Sequence, residues 1–156
     1  VNKVHVSPSL VTIIEEQLTK EEIVRRVSAP LLAAGLVKES YTNALLEREK
    51  SFPTGLPTEG IGVAIPHTDC EHVNMAAMAI GILRHPIQFQ NMVDPEQGID
   101  VRILFMLAID EPHGQIEMLQ RLTDVLQDAS LLQTLVLSAG PADAWRAIEP
   151  SLKSLL

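Results

Sequence analysis

Val101-Arg102-Ile103-Leu104-Phe105-Met106-Leu107-Ala108-Ile109 is apolar at all but one position. A run of this length is a strand and not a membrane span, and a strand without a polar face has to be covered on both sides. The stretch therefore predicts the central strand of a sheet with helices on both faces. It ends in Asp110-Glu111-Pro112-His113, polar residues that take the chain out of the sheet.

Upstream, Met75 to Leu83 is rich in Ala, Met and Ile and reads as a second buried strand, closed by Arg84-His85-Pro86. Ile87-Gln88-Phe89 reads as a short edge strand, and Asn91 to Asp100, with Pro95 and Gly98, as a loop or short arm. Before these lies Gly60-Ile-Gly-Val-Ala-Ile-Pro-His-Thr-Asp69. Val63-Ala64-Ile65 is strand-like, and Pro66 fixes φ and donates no hydrogen bond, so the strand stops there. His67 then stands at the strand's end, and Thr68 and Asp69 suit a turn. The preceding segment, Phe52 to Gly62, holds two prolines and three glycines and predicts a structured loop. Gly60-x-Gly62 enters a strand and not a helix, so it is no phosphate loop.

Nearer the N-terminus, Leu10 to Ile14 is a β-branched strand signal. Thr19 and Glu22 form a capping box, after which Ile23, Val27, Leu31 and Leu32 recur at helical spacing. Pro30 is expected to kink this helix and Gly35 to cap it. Ser40 opens a second helix carrying Ala44, Leu45 and Arg48, ending before Pro53. Beyond the central strand, Gln115 begins a helix with Ile116, Leu119, Leu122, Thr123 and Leu126 on one face. A further helix covers Leu131 to Leu137, and Gly140-Pro141 starts a last one through Trp145. The alternation predicts an α/β fold, one domain over residues 1–156, with a mixed sheet of about five strands flanked by helices.

Composition narrows the function. Hydrophobic residues make up 46% but aromatics only 3%, so the core is expected to be aliphatic and no base-stacking platform is available. A formal charge of −8 opposes nucleic acid and anionic membranes and suits basic protein partners. The lone Cys70 permits no internal disulfide, which favours the cytoplasm, and no apolar run is long enough to insert in a bilayer.

His67 is open to four readings: nucleophile, base, metal ligand or packed side chain. A neutral imidazole nitrogen can accept a phosphoryl group, provided that nearby donors and a cation take up its charge. Thr68 offers a hydroxyl and Arg48 a fork-shaped guanidinium, although on its own sequence Arg48 reads first as a solvated helix residue paired with Glu47, Glu49 or another neighbour. The rival chemistry is metal binding by His67, Asp69, Cys70 and His72, whose spacing matches no strong zinc pattern. A Cys70–His nucleophilic pair lacks an orienting residue. His5 and His85 read as surface histidines, and Glu15-Glu16 and Glu21-Glu22 as solvated.

Glu47-Arg48-Glu49, Phe52-Pro53-Thr54-Gly55 and Ala64-Ile65-Pro66-His67, in that order, resemble the IIA components of the bacterial phosphoenolpyruvate-dependent sugar phosphotransferase system, fructose-mannitol superfamily. The resemblance covers nearly the whole chain, and Phe52 to Gly55 and the compact length look most similar to the galactitol-specific branch. It implies a mannitol-type IIA fold and a cytoplasmic phosphoryl carrier with no cofactor beyond the covalent phosphate. The phosphocarrier protein HPr is the implied donor and a cysteine of a IIB component the acceptor, with sugar entering through a membrane IIC component. Carried over, His67 is the phosphorylated residue, at Nε2, and Arg48 stabilises the phosphoryl group, with Thr54, Thr68 and Gln115 as further candidates. Fructose- and mannitol-type relatives place a second histidine where Gln115 stands here, before Ile116-Glu-Met-Leu119, whereas galactitol-like members tend to have glutamine there; His113 falls two residues earlier as an accessory candidate. A nitrogen-type regulatory IIA is the alternative on the same fold. For partner docking, Leu56, Ile61 and Met75 are the rim candidates around His67.

Overall fold

The computed structural model describes residues 3–112 and 115–156. Five strands form one mixed sheet: β1 (Val11–Ile14), β2 (Gly55–Leu56), β3 (Gly62–Ala64), β4 (Ala77–Gln90) and β5 (Gly98–Ala108), in the order β1-β4-β5-β3-β2. The run Val101 to Ala108 thus lies in the middle strand, as its unbroken apolarity requires. β1 pairs parallel with β4 and β3 parallel with β5, while β4–β5 and β2–β3 are antiparallel.

Helices cover both faces. On one, α1 (Lys20–Ala33) and α2 (Tyr41–Ser51) pack Val24, Val27, Leu31, Tyr41 and Leu45 against Ala77, Ala79 and Leu83 of β4 and Leu104 and Met106 of β5. On the other, α3 (Ile116–Leu126), α4 (Ala129–Val136) and α5 (Pro141–Leu152) pack Met118, Leu122, Leu135 and Ile148 against the alternate residues Met78, Ile80, Ile103 and Phe105. This division is the period of two expected of strands buried on both sides. The core is mainly aliphatic, with Tyr41, Phe89 and Phe105 as its large fully buried rings.

The local signals that began and ended α1 are realised in hydrogen bonds. Thr19 Oγ1 accepts from Glu22 N at 3.2 Å and Glu22 Oε1 from Thr19 N at 3.0 Å, the reciprocal capping box. At the other end Gly35, with φ +71°, donates to Leu32 O, and Leu36 donates to Leu31 O, the paired bonds of a Schellman turn. Pro30 is contained within the helix, which continues to Ala33.

Four expectations are corrected. Arg84-His85-Pro86 does not end a strand, because β4 runs through it to Gln90, with a register shift between Ile82 and Ile87. A proline without an N–H is tolerated at such an irregularity. Ile87 to Phe89 is consequently no separate short strand but the far end of β4, where it pairs with Ile99 to Val101 and Phe89 is fully buried. The loop from Phe52 to Gly62 contains the two-residue strand β2, hydrogen-bonded to β3. Finally, α3 buries Met118, Leu122 and Val125, whereas Ile116 and Leu119 are exposed. Among the described residues no helix is long and apolar enough to cross a membrane.

Candidate functional site

β3 delivers the chain to His67. After Ala64 the backbone stays pinned on both sides, since Ile65 N donates to Thr54 O, just before β2, at 3.2 Å and Leu107 N of β5 donates to Pro66 O at 2.9 Å. The imidazole is half-buried, and its Nδ1 lies 2.9 Å from Ile65 O. A carbonyl can only accept, so in this contact Nδ1 carries the hydrogen. The lone pair of the neutral ring is then on Nε2.

His67 shares a cleft of 360 Å³ with Arg48, Phe52, Thr54, Met92 and Pro95. Arg48 enters from the last turn of α2. Its Nη1 lies 3.2 Å from Asp69 Oδ1, its guanidinium sits 5.1 Å from the centroid of the Phe52 ring, and its Nε is buried with no hydrogen-bond partner. A desolvated guanidinium donor without an acceptor is suited to an incoming oxyanion. The sequence offered Glu47, Glu49 or another neighbour as partners for Arg48. Instead Glu47 pairs with Lys50, Glu49 turns to Thr54, and Asp69 takes the arginine.

Thr54 is buried, and both of its donors end on Glu49: the backbone N on Oε2 at 2.7 Å and Oγ1 on Oε1 at 2.9 Å. Burial raises the Glu49 carboxyl above its ordinary range, opposed by these two bonds and by the charge of Lys20. Thr68 is also buried and donates Oγ1 to Asp69 O at 2.9 Å. Gln115 lies just before α3, nearly buried, with φ +63°, and donates Nε2 to Asp110 Oδ1 at 3.1 Å. A left-handed backbone at a residue other than glycine is a local strain typical of constrained sites. His113 lies outside the described residues.

The side chains of the rival metal reading are drawn apart. His67 engages Ile65, Asp69 engages Arg48, and His72 Nδ1 is 2.8 Å from Ser40 Oγ. Among the described residues no three His, Cys, Asp or Glu side chains form a group that could hold a metal ion. Of the expected docking rim, Leu56 and Ile61 are partly buried against the core, and Met75 lines a separate cleft with His5, Leu36 and Leu156. The large apolar side chains at the His67 cleft are Phe52 and Met92, both exposed, beside Pro53 and Pro95. Glu49 and Asp69, which hold Thr54 and Arg48, stood in the sequence only as a motif neighbour of Arg48 and as a turn residue after His67, with no signal of these partners.

The family model described as "Phosphoenolpyruvate-dependent sugar phosphotransferase system, EIIA 2" matches residues 5–150. The galactitol-specific EIIA component of Escherichia coli K12 is 31% identical over 119 residues, 75% of this chain and 77% of that protein. Among solved structures, IIA mannitol from Escherichia coli superimposes with a TM-score of 0.74 at 22% identity, over 92% of this chain and 99% of that one. The complex of enzyme IIAMTL with phosphorylated enzyme IIBMTL from Escherichia coli gives 0.75 at 22% identity, over 94% and 99%. These two establish the fold. With the family match and the galactitol-specific relative, they lead to one assignment: the chain belongs to the EIIA 2 family of the phosphoenolpyruvate-dependent sugar phosphotransferase system, as a phosphotransfer domain of sugar transport.

Proposed function

We propose that His67 accepts a phosphoryl group on Nε2 from phosphorylated HPr and passes it to a cysteine of a IIB component. The observation that carries this reading is the bond between His67 Nδ1 and Ile65 O, which leaves Nε2 as the free nucleophile in the cleft that holds Arg48. In the first transfer the Nε2 lone pair forms a new N–P bond as the donor's N–P bond breaks, and the electron pair returns to the donor imidazole. In the second, the IIB thiolate sulfur attacks phosphorus and His67 regains its lone pair. The guanidinium of Arg48 compensates the phosphoryl charge, and its buried Nε supplies a donor. A carrier must also release its group, and one arginine with neutral donors holds phosphate more loosely than a metal clamp.

Thr68 and Gln115 are the proposed further donors, on the condition that each turns from its present acceptor, Asp69 O and Asp110 Oδ1, toward the phosphoryl group. Thr54, whose hydroxyl is directed to Glu49, contributes through the shape of the cleft. Exposed Phe52 and Met92 offer an apolar rim to partner proteins. The 31% identity to a galactitol-specific component supports transport over the nitrogen-type regulatory alternative and makes galactitol the first sugar to test. The carrier would work in the cytoplasm beside a membrane IIC component.

The test is incubation with enzyme I, HPr and phosphoenolpyruvate followed by intact-mass analysis. One added phosphate is expected in wild type and in His113→Ala, and none in His67→Ala. Wild-type protein that stays unmodified beside a phosphorylated HPr refutes the reading.

A further inference from the structure

We propose that Glu49 is a positioning residue for His67, holding the imidazole in the tautomer that leaves Nε2 nucleophilic. The inference rests on the reading of His67 as the phosphoryl acceptor. It follows from a continuous path of hydrogen bonds. Glu49 receives both donors of Thr54, at 2.7 and 2.9 Å. Thr54 O receives Ile65 N at 3.2 Å, extending the β2–β3 ladder by one pair. Ile65 O then receives His67 Nδ1 at 2.9 Å.

The path joins two elements that have to keep a fixed separation. Arg48 and Glu49 are neighbours near the C-terminus of α2, whereas His67 follows β3. Arg48 lines the cleft with His67, and Glu49 ties the same helix to the strand pair that carries the histidine. β2 has only two residues and therefore little ladder of its own to fix the start of the pair. A carboxylate accepting from both a backbone N–H and a hydroxyl supplies charge-assisted bonds in its place. Without it, the Ile65 carbonyl loses its fixed aim, and the ring is free to place its hydrogen on Nε2, where no lone pair remains to attack phosphorus.

The experiment reads the tautomer directly, through the ring ¹⁵N resonances of His67 in unphosphorylated protein at alkaline pH, where the imidazole is neutral. Wild type and Glu49→Gln, which keeps one acceptor oxygen and offers its amide to Thr54 Oγ1, are expected to show the hydrogen on Nδ1 alone. Glu49→Ala and Glu49→Asp, whose carboxylate is one methylene too short, are expected to show both nitrogens averaged between tautomers. Initial rates of phosphoryl acceptance should fall about tenfold or more in Glu49→Asp and recover in Glu49→Gln, on the scale of a reacting group misplaced by a fraction of an ångström. Glu49→Asp serves as the readout if Glu49→Ala fails to fold. Wild-type ring resonances in the aspartate variant overturn the proposal, as does a glutamine variant as slow as the aspartate one. Because the resonances are read without phosphate, they separate failure of this proposal from failure of His67 as acceptor.

Discussion

Arg48 Nη1 and Asp69 Oδ1 stand 3.2 Å apart, so the cation of the cleft is already paired before any phosphate arrives. The Asp69 side chain is 73% exposed, and such a pair contributes at most about 1 kcal/mol. On the proposed function, phosphoryl oxygens on His67 would therefore have a weak competitor to displace. Asp69→Asn should raise the phosphorylated to unphosphorylated ratio, at a fixed ratio of HPr to its phosphorylated form, by up to about fivefold. Intact-mass analysis of equilibrated mixtures measures it, and a lowered ratio would contradict the competition.

Arg48→Ala removes the compensating charge itself. Phosphoryl acceptance should slow by about a hundredfold, the scale seen when one transition-state donor is lost, with the circular dichroism spectrum unchanged. Full activity in that variant would take Arg48 out of the site.

Glu49 gives a pH dependence whose sign can be worked out. Burial raises its pKa in the folded protein above the unfolded value near 4.5. A raised acid favours folding most below the unfolded pKa, and that contribution is lost as pH rises through the folded pKa. The groups that oppose the shift are the two donors of Thr54 and the ammonium of Lys20. Glu49→Gln, which cannot ionise, should thus gain stability relative to wild type as pH goes from 4 to 7 in urea-unfolding measurements. A difference that stays flat or falls over this interval would show that burial does not dominate at Glu49.

Tyr41 ties α2 to the central strand. Its buried hydroxyl donates to Leu107 O at 2.6 Å, while Leu107 N donates to Pro66 O at 2.9 Å, next to His67. Burial pushes the phenol pKa far above its usual value, so the group stays a donor at all working pH values. Tyr41→Phe should cost about 1–2 kcal/mol by loss of this bond, seen as a lower urea midpoint at unchanged slope.

Gly55 explains why a glycine follows Thr54. A Cβ there would lie 2.7 Å from Gln90 O, closer than packed atoms approach, and Gly55 O also receives Met92 N at 2.8 Å. Gly55→Ala should destabilise the protein by about 1–3 kcal/mol through this backbone clash, measured by thermal or urea unfolding.

Where the chain advertised its structure, the signal was local and redundant. The capping box at Thr19, the left-handed Gly35 and the uniformly apolar run at Val101 each specify one conformation through adjacent residues alone. β4 escaped because Pro86 is a valid strand terminator in isolation, and only pairing with β5 shows that a register shift absorbs it. In α3 the residues that look like a buried stripe include Ile116 and Leu119, but the sheet selects Met118, Leu122 and Val125; a second apolar stripe has no signature of which one faces in. The positions of His67 and Arg48 were readable from motifs. Their hydrogen-bond partners were not, since Asp69 and Ile65 meet them through turns whose geometry the folded sheet sets.

The turn between β4 and β5 closes on itself: Asn91 N donates to Gln97 O, Asn91 Nδ2 donates to Gln97 Oε1, and Val93 N donates to Asn91 Oδ1. It nonetheless lends Met92 and Pro95 to the wall opposite Arg48. Chemistry and selectivity are thereby written in different stretches of the chain. On the proposed function, exchanging the side chains of residues 92–96 would reshape the mouth that a partner meets while His67, Glu49 and Arg48 stay in sequence as they are, which makes this turn the place to graft a new partner preference.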